Sequence, residues 1–305
     1  MNRNNHWTRR DAIKAAAAIA SLPLPAWSKE ATMLKRPIPK TGEELPVIGL
    51  GTYNVFDVAS TAEELAPRRE IVDLMIEKGA SLIDSSPMYN RAEKVVGDII
   101  EQSGKREKLF LATKVWTDGK ASGEQQMAAS AKLMQADVID LMQVHNLRDL
   151  DVHMATIRDW QQQGRIRYNG ITDYRASALD ELEAAMHKHR PQFIQINYSL
   201  GETEADRRVL PLASDLGIAV IANRPFQSGP LFSAVRGREL PGWATDFAAS
   251  WGQFFLKFIV SHPSVTVAIP ATSKPHHMAD NLGAGFGEMP DAATRKKMAA
   301  FFASL

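Results

Sequence analysis

Short apolar stretches rich in β-branched residues alternate with longer stretches of helical spacing from residue 47 onward. Parallel strands covered by crossover helices produce this alternation. Eight strands are predicted, at 47–52, 81–86, 109–115, 138–146, 166–172, 193–199, 218–225 and 265–270. Strands and helices in this order predict an α/β fold, a (β/α)₈ TIM barrel.

The stretches between the strands predict helices at 69–78, 92–102, 123–135, 152–163, 176–188 and 205–216. Four of these helices are followed by a glycine, the residue that most readily adopts the left-handed conformation that ends a helix. These glycines are Gly79, Gly104, Gly164 and Gly217.

Three further segments extend the predicted barrel. Helical patterns at 246–261 and 291–302 predict accessory helices, and 37–46 predicts a short N-terminal hairpin, with Thr41 and Gly42 at its turn, that closes the bottom of the barrel. A chain of 305 residues allows one domain or two. No low-complexity linker follows residue 36, so 37–305 is predicted to be a single barrel domain and 29–36 a short tether.

The first 28 residues resemble a bacterial twin-arginine signal peptide. Arg9 and Arg10 precede an apolar run at 15–24 and a small-residue cleavage region at 25–28. The run is shorter than the ~20 residues that a membrane-spanning helix needs, so no stable membrane insertion is expected. Residues 1–28 therefore predict export by the twin-arginine machinery and a periplasmic location, with a retained basic amphipathic helix as the alternative.

Composition narrows the possible functions. Apolar residues make up 45% and charged residues 23% of the chain, as in ordinary globular proteins. The net charge is only +1, so no nucleic-acid partner is expected. The absence of cysteine excludes disulfides, thiolate metal sites and a cysteine nucleophile. We expect no metal, because His276 and His277 lack further ligands at suitable spacing. No long heptad pattern demands association, so a monomer is expected.

Ionisable residues stand at the carboxyl ends of three successive predicted strands. Asp84 and Tyr89 follow the second strand, Lys114 ends the third, and His145 lies near the end of the fourth. Catalytic groups of (β/α)₈ barrels occupy this end of the barrel. Each residue alone could serve a structural role, but together they predict a catalytic site.

This arrangement resembles the aldo-keto reductase family, which uses an Asp and a Tyr five residues apart, a Lys and a His in this order. The segments 48–52, 194–198 and 280–282 are also similar to family motifs, and the resemblance covers about residues 37–290. It implies NAD(P)H-dependent reduction of a small-molecule carbonyl substrate, an aldehyde or ketone, to an alcohol by hydride transfer.

The chemistry of carbonyl reduction gives each of the four residues a role. The alkoxide formed by hydride addition needs a proton donor, for which Tyr89 is the candidate. Lys114 supplies a cation that favours the phenolate, and Asp84 keeps the buried lysine charged. His145 is expected to hydrogen-bond the substrate carbonyl and to orient it.

No dinucleotide fingerprint of the Rossmann type is present, so a nucleotide has to be held by the late loops of the barrel. The resemblance assigns Thr172, Asp173 and Gln195 to the nicotinamide carboxamide and Ser228 to the pyrophosphate. It assigns the adenosine end to Thr272, Lys274, His277, Asp280 and Asn281.

Several of these positions depart from the family pattern. Thr172 and Asp173 stand where Ser and Asn are common, and Asn223 replaces an aromatic residue that often stacks on the nicotinamide. Ala271 replaces a frequent Lys, and His277 replaces an Arg that commonly pairs with the 2′-phosphate. Lys274 partly restores the positive charge, so NADP is predicted as the cofactor and NAD as the alternative.

Two other functions are compatible with a barrel of this kind. One is a nucleotide-binding sensor or partner subunit with little turnover, and the other is an isomerase or lyase that uses Lys114 as a Schiff base. The intact tetrad argues against the first, and the spacing of Asp84 and Tyr89 has no rationale in the second. The loops at 55–65, 116–122, 146–151 and 227–243 are expected to set specificity, with Trp116 and Phe226 as an apolar wall.

Overall fold

A hairpin opens the part of the chain that the computed structural model describes, residues 32–305. Its strands are β1 (Lys35–Pro37) and β2 (Glu44–Pro46), which pair antiparallel. Ile38 and Leu45 from this hairpin are buried against the side chains that fill the barrel, as predicted for a closure of its bottom. The predicted signal peptide at 1–28 and residues 29–31 lie outside the described residues.

The described residues of the predicted tether pack on the barrel. Met33 is buried in the core, and the Leu34 amide donates to the Gly285 carbonyl oxygen at 2.8 Å. The strand β1 then begins at Lys35, so this part of the tether contacts the domain along its length.

Eight parallel strands form the barrel wall in chain order, as the alternating pattern predicts. They are β3 (Leu50–Gly51), β4 (Leu82–Asp84), β5 (Phe110–Val115), β6 (Ile139–His145), β7 (Ile166–Asp173), β8 (Phe193–Asn197), β9 (Ala219–Asn223) and β10 (Val267–Ala268). The first and last strands meet and close the sheet. The Gly49 amide donates to the Ala268 oxygen at 2.9 Å, and the Ala268 amide donates to the Val47 oxygen at 2.8 Å. The predicted (β/α)₈ barrel is thereby confirmed.

Helices cover the outside of the wall at every predicted position. They are α1 (Ala62–Glu77), α2 (Ala92–Ser103), α3 (Lys120–Leu133), α4 (Leu150–Gln162), α5 (Leu179–His189) and α6 (Val209–Leu216). Later in the chain come α7 (Pro230–Ala234), α8 (Trp251–Val260), α9 (Pro275–Gly283) and α10 (Ala292–Ala303). The residues described include no helix with the length and apolar character needed to cross a membrane.

The largest difference from the predicted helix bounds occurs in α1, which begins at Ala62 instead of residue 69. Thr61 caps this helix, because its side-chain oxygen accepts from the Glu64 amide at 3.3 Å. Glu63 and Glu64 in the first turn favour the same start, and the helix accommodates Pro67.

Residues along each strand alternate between the barrel interior and the helix layer, since the side-chain period of a strand is two. Leu82, Ala112, Leu141, Phe193 and Ile221 share one buried cluster inside the barrel. The residue after each of them on its strand therefore faces the helices. Two positions after each of these apolar residues, the inward side chain is polar. The barrel interior is therefore apolar in its middle and polar at the carboxyl ends of the strands.

Candidate active site

The inward-facing positions at the ends of β4 to β6 bring three of the predicted catalytic residues together. Asp84 lies two positions after Leu82, and Lys114 lies two positions after Ala112. His145 lies four positions after Leu141 on β6. The barrel places these side chains at one end of its interior because neighbouring parallel strands end on the same side.

An ion pair between Lys114 and Asp84 forms the centre of the site. Lys114 Nζ lies 2.6 Å from Asp84 Oδ2 and donates to the Ser85 carbonyl oxygen at 2.7 Å. The Lys114 and Asp84 side chains are only 1% and 3% exposed, so neither charge is solvated by bulk water. Burial lowers the pKa of Lys114, but the negative charge of Asp84, with a smaller contribution from Tyr89, outweighs burial and raises that pKa above its usual value. The lysine is therefore a permanent cation.

Two glutamine amides hold the second oxygen of Asp84. Gln143 Nε2 donates to Asp84 Oδ1 at 3.1 Å, and Gln195 Nε2 donates to the same atom at 2.8 Å. Asp84 thus accepts hydrogen bonds at both oxygens and is fixed in position. Gln195 is predicted to be a cofactor residue, whereas Gln143 has no predicted role. A polar side chain two positions before His145, facing inward on an apolar strand, is the signal that identifies Gln143.

The turn after β4 carries Tyr89 over this ion pair. The Tyr89 amide donates to the Ser86 oxygen at 2.9 Å, and Lys114 Nζ lies 5.0 Å from the centre of the Tyr89 ring. Burial raises the pKa of the Tyr89 phenol, and the nearby Lys114 charge only partly offsets that rise. Lys114 lowers the pKa of Tyr89, as expected, but burial, which is the largest cause, and the negative charge of Asp84 both raise it. The phenol stays protonated at neutral pH.

His145 lies beside Tyr89, with the two ring centres 6.2 Å apart and the ring planes nearly perpendicular. Its Nδ1 lies 3.2 Å from the Ser86 Oγ atom. Burial lowers the pKa of His145 to about 3, with the positive charge of Lys114 as a second cause. The imidazole is therefore neutral at physiological pH, and it carries a single ring proton.

A cavity of about 530 Å³ opens over these residues. This volume is within the range of small-molecule and cofactor sites. Asp84, Tyr89 and His145 line its floor, and its wall is largely aromatic or apolar. The wall residues include Tyr53, Val55, Met88, Trp116, Tyr174 and Phe226. Trp116 is covered by the Arg148 guanidinium, which lies 4.4 Å from its ring centre.

The predicted nicotinamide residues separate into two groups. Thr172 and Gln195 line the cavity, whereas Asp173 does not; Ser228, which is predicted to contact the pyrophosphate, lines it as well. Asp173 follows the inward-facing Thr172 and therefore faces the other side of β7. Both its oxygens are engaged by Arg175, with Nε at 3.0 Å and Nη2 at 2.7 Å. The structure thus keeps Asp173 outside the cavity that its predicted role requires.

The predicted adenosine residues lie around the start of α9. The Lys274 amide donates to Thr272 Oγ1 at 3.1 Å, and the Lys274 and His277 side chains are exposed. Burial lowers the pKa of His277, and the positive neighbours His276 and Lys274 lower it further. Lys274 is therefore the cationic side chain of this group at neutral pH.

Asp280 and Asn281 lie further along α9. Asp280 accepts from Ser250 Oγ at 2.6 Å and from Gln253 Nε2 at 2.9 Å, so both its oxygens tie α9 to the start of α8. Asn281 is buried. Across residues 32–305, no group of three or more His, Asp or Glu side chains has the arrangement of a metal site.

A (β/α)₈ barrel in which a buried Asp–Lys pair lies beside a protonated tyrosine and a neutral histidine at one cavity defines a class of protein, the barrel oxidoreductases that protonate a reduced carbonyl. The Lys114 amine is engaged in the ion pair with Asp84, so it lacks the free amine that a Schiff base requires.

Comparison with known proteins identifies the family. The model of the aldo/keto reductase family matches residues 47–296, and the chain belongs to this family. The aldo-keto reductase YhdN of Bacillus subtilis is 30% identical over 199 residues, which cover 60% of this chain and 59% of that protein. The methylglyoxal reductase YeaE of Escherichia coli is 29% identical over 246 residues, 78% of this chain and 84% of that protein.

Solved structures show the same fold. An aldo-keto reductase of Klebsiella pneumoniae in complex with NADPH has a TM-score of 0.74 and 23% identity, over 88% of this chain and 96% of that chain. An aldo-keto reductase of Bacillus halodurans has a TM-score of 0.71 and 21% identity, with the same coverage of 88% and 96%. As a family member, the chain is an NAD(P)H-dependent oxidoreductase that reduces an aldehyde or ketone to an alcohol.

Proposed function

We propose that this chain reduces small aldehydes or ketones with NADPH, and that Tyr89 donates the proton to the substrate oxygen. The observation that carries this proposal is that Asp84, Tyr89 and His145 line one cavity and that Asp84 is paired with the buried Lys114. Bound NADPH supplies the hydride. The side chains of the protein handle the proton and orient the substrate.

Tyr89 and Lys114 divide the handling of the proton. The phenol is protonated before reduction, and it gives its proton to the oxygen on which negative charge develops. The phenolate left behind is stabilised by Lys114, whose Nζ lies 5.0 Å from the ring centre. Asp84 fixes the lysine, and the two glutamines fix Asp84, so little rearrangement is needed during the reaction.

The cavity has polar atoms suited to a nicotinamide carboxamide. Asn146 and Asn223 line it, and the Oδ1 atom of each is buried without a hydrogen-bond partner in the described residues. Buried acceptors of this kind are satisfied by a ligand or by water. The carboxamide N–H groups of a nicotinamide could donate hydrogen bonds to these two oxygen atoms. Thr172 and Gln195 lie in the same wall, and Asn223 Nδ2 donates to Gln195 Oε1 at 3.3 Å.

The preference for NADPH over NADH rests on the start of α9. Lys274 is exposed there. The nine-residue helix that follows presents free amide groups to an anion. Together they favour the doubly charged 2′-phosphate. The NADPH complex of the Klebsiella pneumoniae relative is consistent with this choice.

The substitution Tyr89→Phe tests the role of the tyrosine. We expect the turnover of carbonyl substrates to fall by about 10²-fold to 10⁴-fold, the usual contribution of a proton donor. The dissociation constant of NADPH, measured by fluorescence titration, is expected to stay within about twofold. Tyr174→Phe is the matched control, because Tyr174 lines the cavity but is more than a third exposed. Undiminished turnover in Tyr89→Phe would show that Tyr89 is not the proton donor.

Titration of the wild-type enzyme with each nucleotide tests the cofactor. NADPH should bind about tenfold more tightly than NADH, because one charge-assisted contact contributes about 1.5 kcal/mol or more. An equal or reversed preference would assign NAD to this chain. Turnover is best screened over aldehydes, ketones and sugars, with methylglyoxal included because of the relative that reduces it.

Export to the periplasm and a monomeric state are part of the same proposal. Export is supported by Arg9 and Arg10 ahead of the apolar run at 15–24. Replacing both arginines by lysine should retain the folded enzyme in the cytoplasmic fraction of a bacterial host, whereas the wild-type chain should reach the periplasm. Wild-type enzyme that stays with the cytoplasmic fraction would refute export. Sedimentation analysis distinguishes the monomer from a dimer.

A further inference from the structure

Ser86 stands between the backbone and the imidazole of His145. It belongs to the turn after β4, and its side chain is fully buried. The Met88 amide donates to Ser86 Oγ at 3.2 Å. The same oxygen lies 3.2 Å from His145 Nδ1, across 59 residues of sequence. Ser86 has no role predicted from the sequence.

Counting donors and acceptors decides the direction of the Ser86–His145 hydrogen bond. A serine hydroxyl has one hydrogen to donate. The Met88 amide can only donate, so it occupies a lone pair of Ser86 Oγ. Within residues 32–305, His145 Nδ1 is the only acceptor that this hydroxyl reaches. If Nδ1 carried the ring proton, the serine hydrogen would be buried without an acceptor, at a cost of about 1–3 kcal/mol.

We propose that Ser86 is a positioning residue that donates to His145 Nδ1 and thereby holds the imidazole as the tautomer protonated at Nε2. This inference rests on the proposed function, in which His145 orients the substrate carbonyl. A neutral imidazole has one N–H group, and only the nitrogen that carries it can donate to a carbonyl oxygen. Nε2 has no hydrogen-bond partner in the described residues, and His145 lines the cavity.

The neutral state of His145 makes this tautomer matter. A protonated imidazole could donate from both nitrogens, whatever its neighbour. Lys114 and burial keep His145 neutral, so the donor toward the cavity depends on which nitrogen is protonated. Ser86 thus fixes the proton on Nε2, which would not be necessary for a charged histidine with a proton on both nitrogens.

The test is nitrogen NMR of the full chain labelled at its eight histidines, with His145→Gln used to assign the signals. In the wild-type protein we expect His145 Nδ1 to resonate as an unprotonated ring nitrogen and Nε2 as a protonated one. In Ser86→Ala the two signals should shift toward an average of both tautomers. A wild-type spectrum with the proton on Nδ1 would overturn the inference, whether or not the enzyme turns over.

Kinetics supply the second readout. Ser86→Ala should lower kcat by on the order of tenfold to a hundredfold, as expected for a displaced orienting group, while the NADPH dissociation constant stays within about twofold. Ser86→Thr keeps a hydroxyl and should recover part of the loss. Ser130→Ala is the matched control, because Ser130 is equally buried on α3 and does not line the cavity.

The possible outcomes separate the two proposals. Ser86→Ala with an unchanged kcat and an unchanged His145 spectrum would show that Ser86 does not position the imidazole. Wild-type enzyme that reduces no carbonyl, but shows the proton on Nε2, would refute the proposed function and leave the hydrogen-bond assignment standing.

Discussion

The catalytic site and the predicted nucleotide site differ in how they are built. At the catalytic site, Asp84 and Lys114 are almost completely buried, and each is held by several hydrogen bonds. At the predicted nucleotide site, Lys274 and His277 are exposed at the start of α9. We therefore expect the reaction to depend on a rigid buried network and the choice of nucleotide to depend on a few exposed side chains. The catalytic site should be sensitive to substitution, and the predicted nucleotide site should tolerate it.

Lys114→Met should give the largest effect, because it leaves Asp84 as an unpaired buried charge. We expect a loss of about 3–5 kcal/mol in the free energy of unfolding, measured by denaturant titration. Turnover should fall to the level of Tyr89→Phe or below. The double variant Asp84→Asn with Lys114→Met should recover part of the stability and none of the activity. Stability within about 1 kcal/mol of wild type in Lys114→Met would show that the pair is not desolvated.

Gln143→Leu tests whether the buried network extends beyond the tetrad. Asp84 Oδ1 would lose one of its two amide donors, and we expect a cost of about 1–2 kcal/mol in stability with about a tenfold loss in kcat. Gly170 faces Gln143, and a Cβ atom there would lie 3.0 Å from Gln143 Cγ, so the site is shaped for this side chain. Gln161→Leu is the control, because it breaks a hydrogen bond of 2.7 Å to Arg167 outside the cavity. If Gln143→Leu and Gln161→Leu had the same kcat, the buried network that supports catalysis would not extend beyond the tetrad.

The substitution His277→Arg tests the exposed residues of the predicted nucleotide site. An arginine is charged at every working pH, unlike His277, whose pKa is lowered by burial and by its positive neighbours. We expect NADPH to bind about tenfold more tightly and NADH to be unaffected, as measured by competition titration. Lys274→Met should shift the same ratio in the opposite direction. Equal gains for both nucleotides would indicate contact with the pyrophosphate instead of the 2′-phosphate.

The smallest effect is expected from pH. His145 has a pKa of about 3, so it is neutral throughout the range from about pH 5 to pH 8. The pKa of Tyr89 is raised by burial, so the proton donor stays protonated over the same range. With saturating NADPH, kcat for reduction should therefore be level across this interval. A fall centred near the ordinary pKa of histidine, and absent from His145→Gln, would contradict the neutral imidazole.

Much of the fold and part of the site could be predicted from the chain alone. The eight strands and the hairpin follow from the hydrophobic pattern, and Asp84, Lys114 and His145 stand at strand ends in that same pattern. The start of α1 was missed, because its first turns carry few apolar residues and depend on the Thr61 cap. The assignment of Asp173 to the cofactor stays a prediction, and the two-residue period of β7, on which Thr172 takes the inward position, orients Asp173 away from the cavity.

The sequence by itself determined the order of strands and helices and the residue types at each strand end, because these depend on local periodicity. Only the tertiary structure decided which side chains meet. Gln143 contacts Asp84, and Ser86 contacts His145, each across 59 residues. Asp280 binds Ser250 and Gln253 instead of standing free. Such pairings depend on the register between neighbouring strands and on the packing between helices, which the pattern of a single strand or helix does not contain.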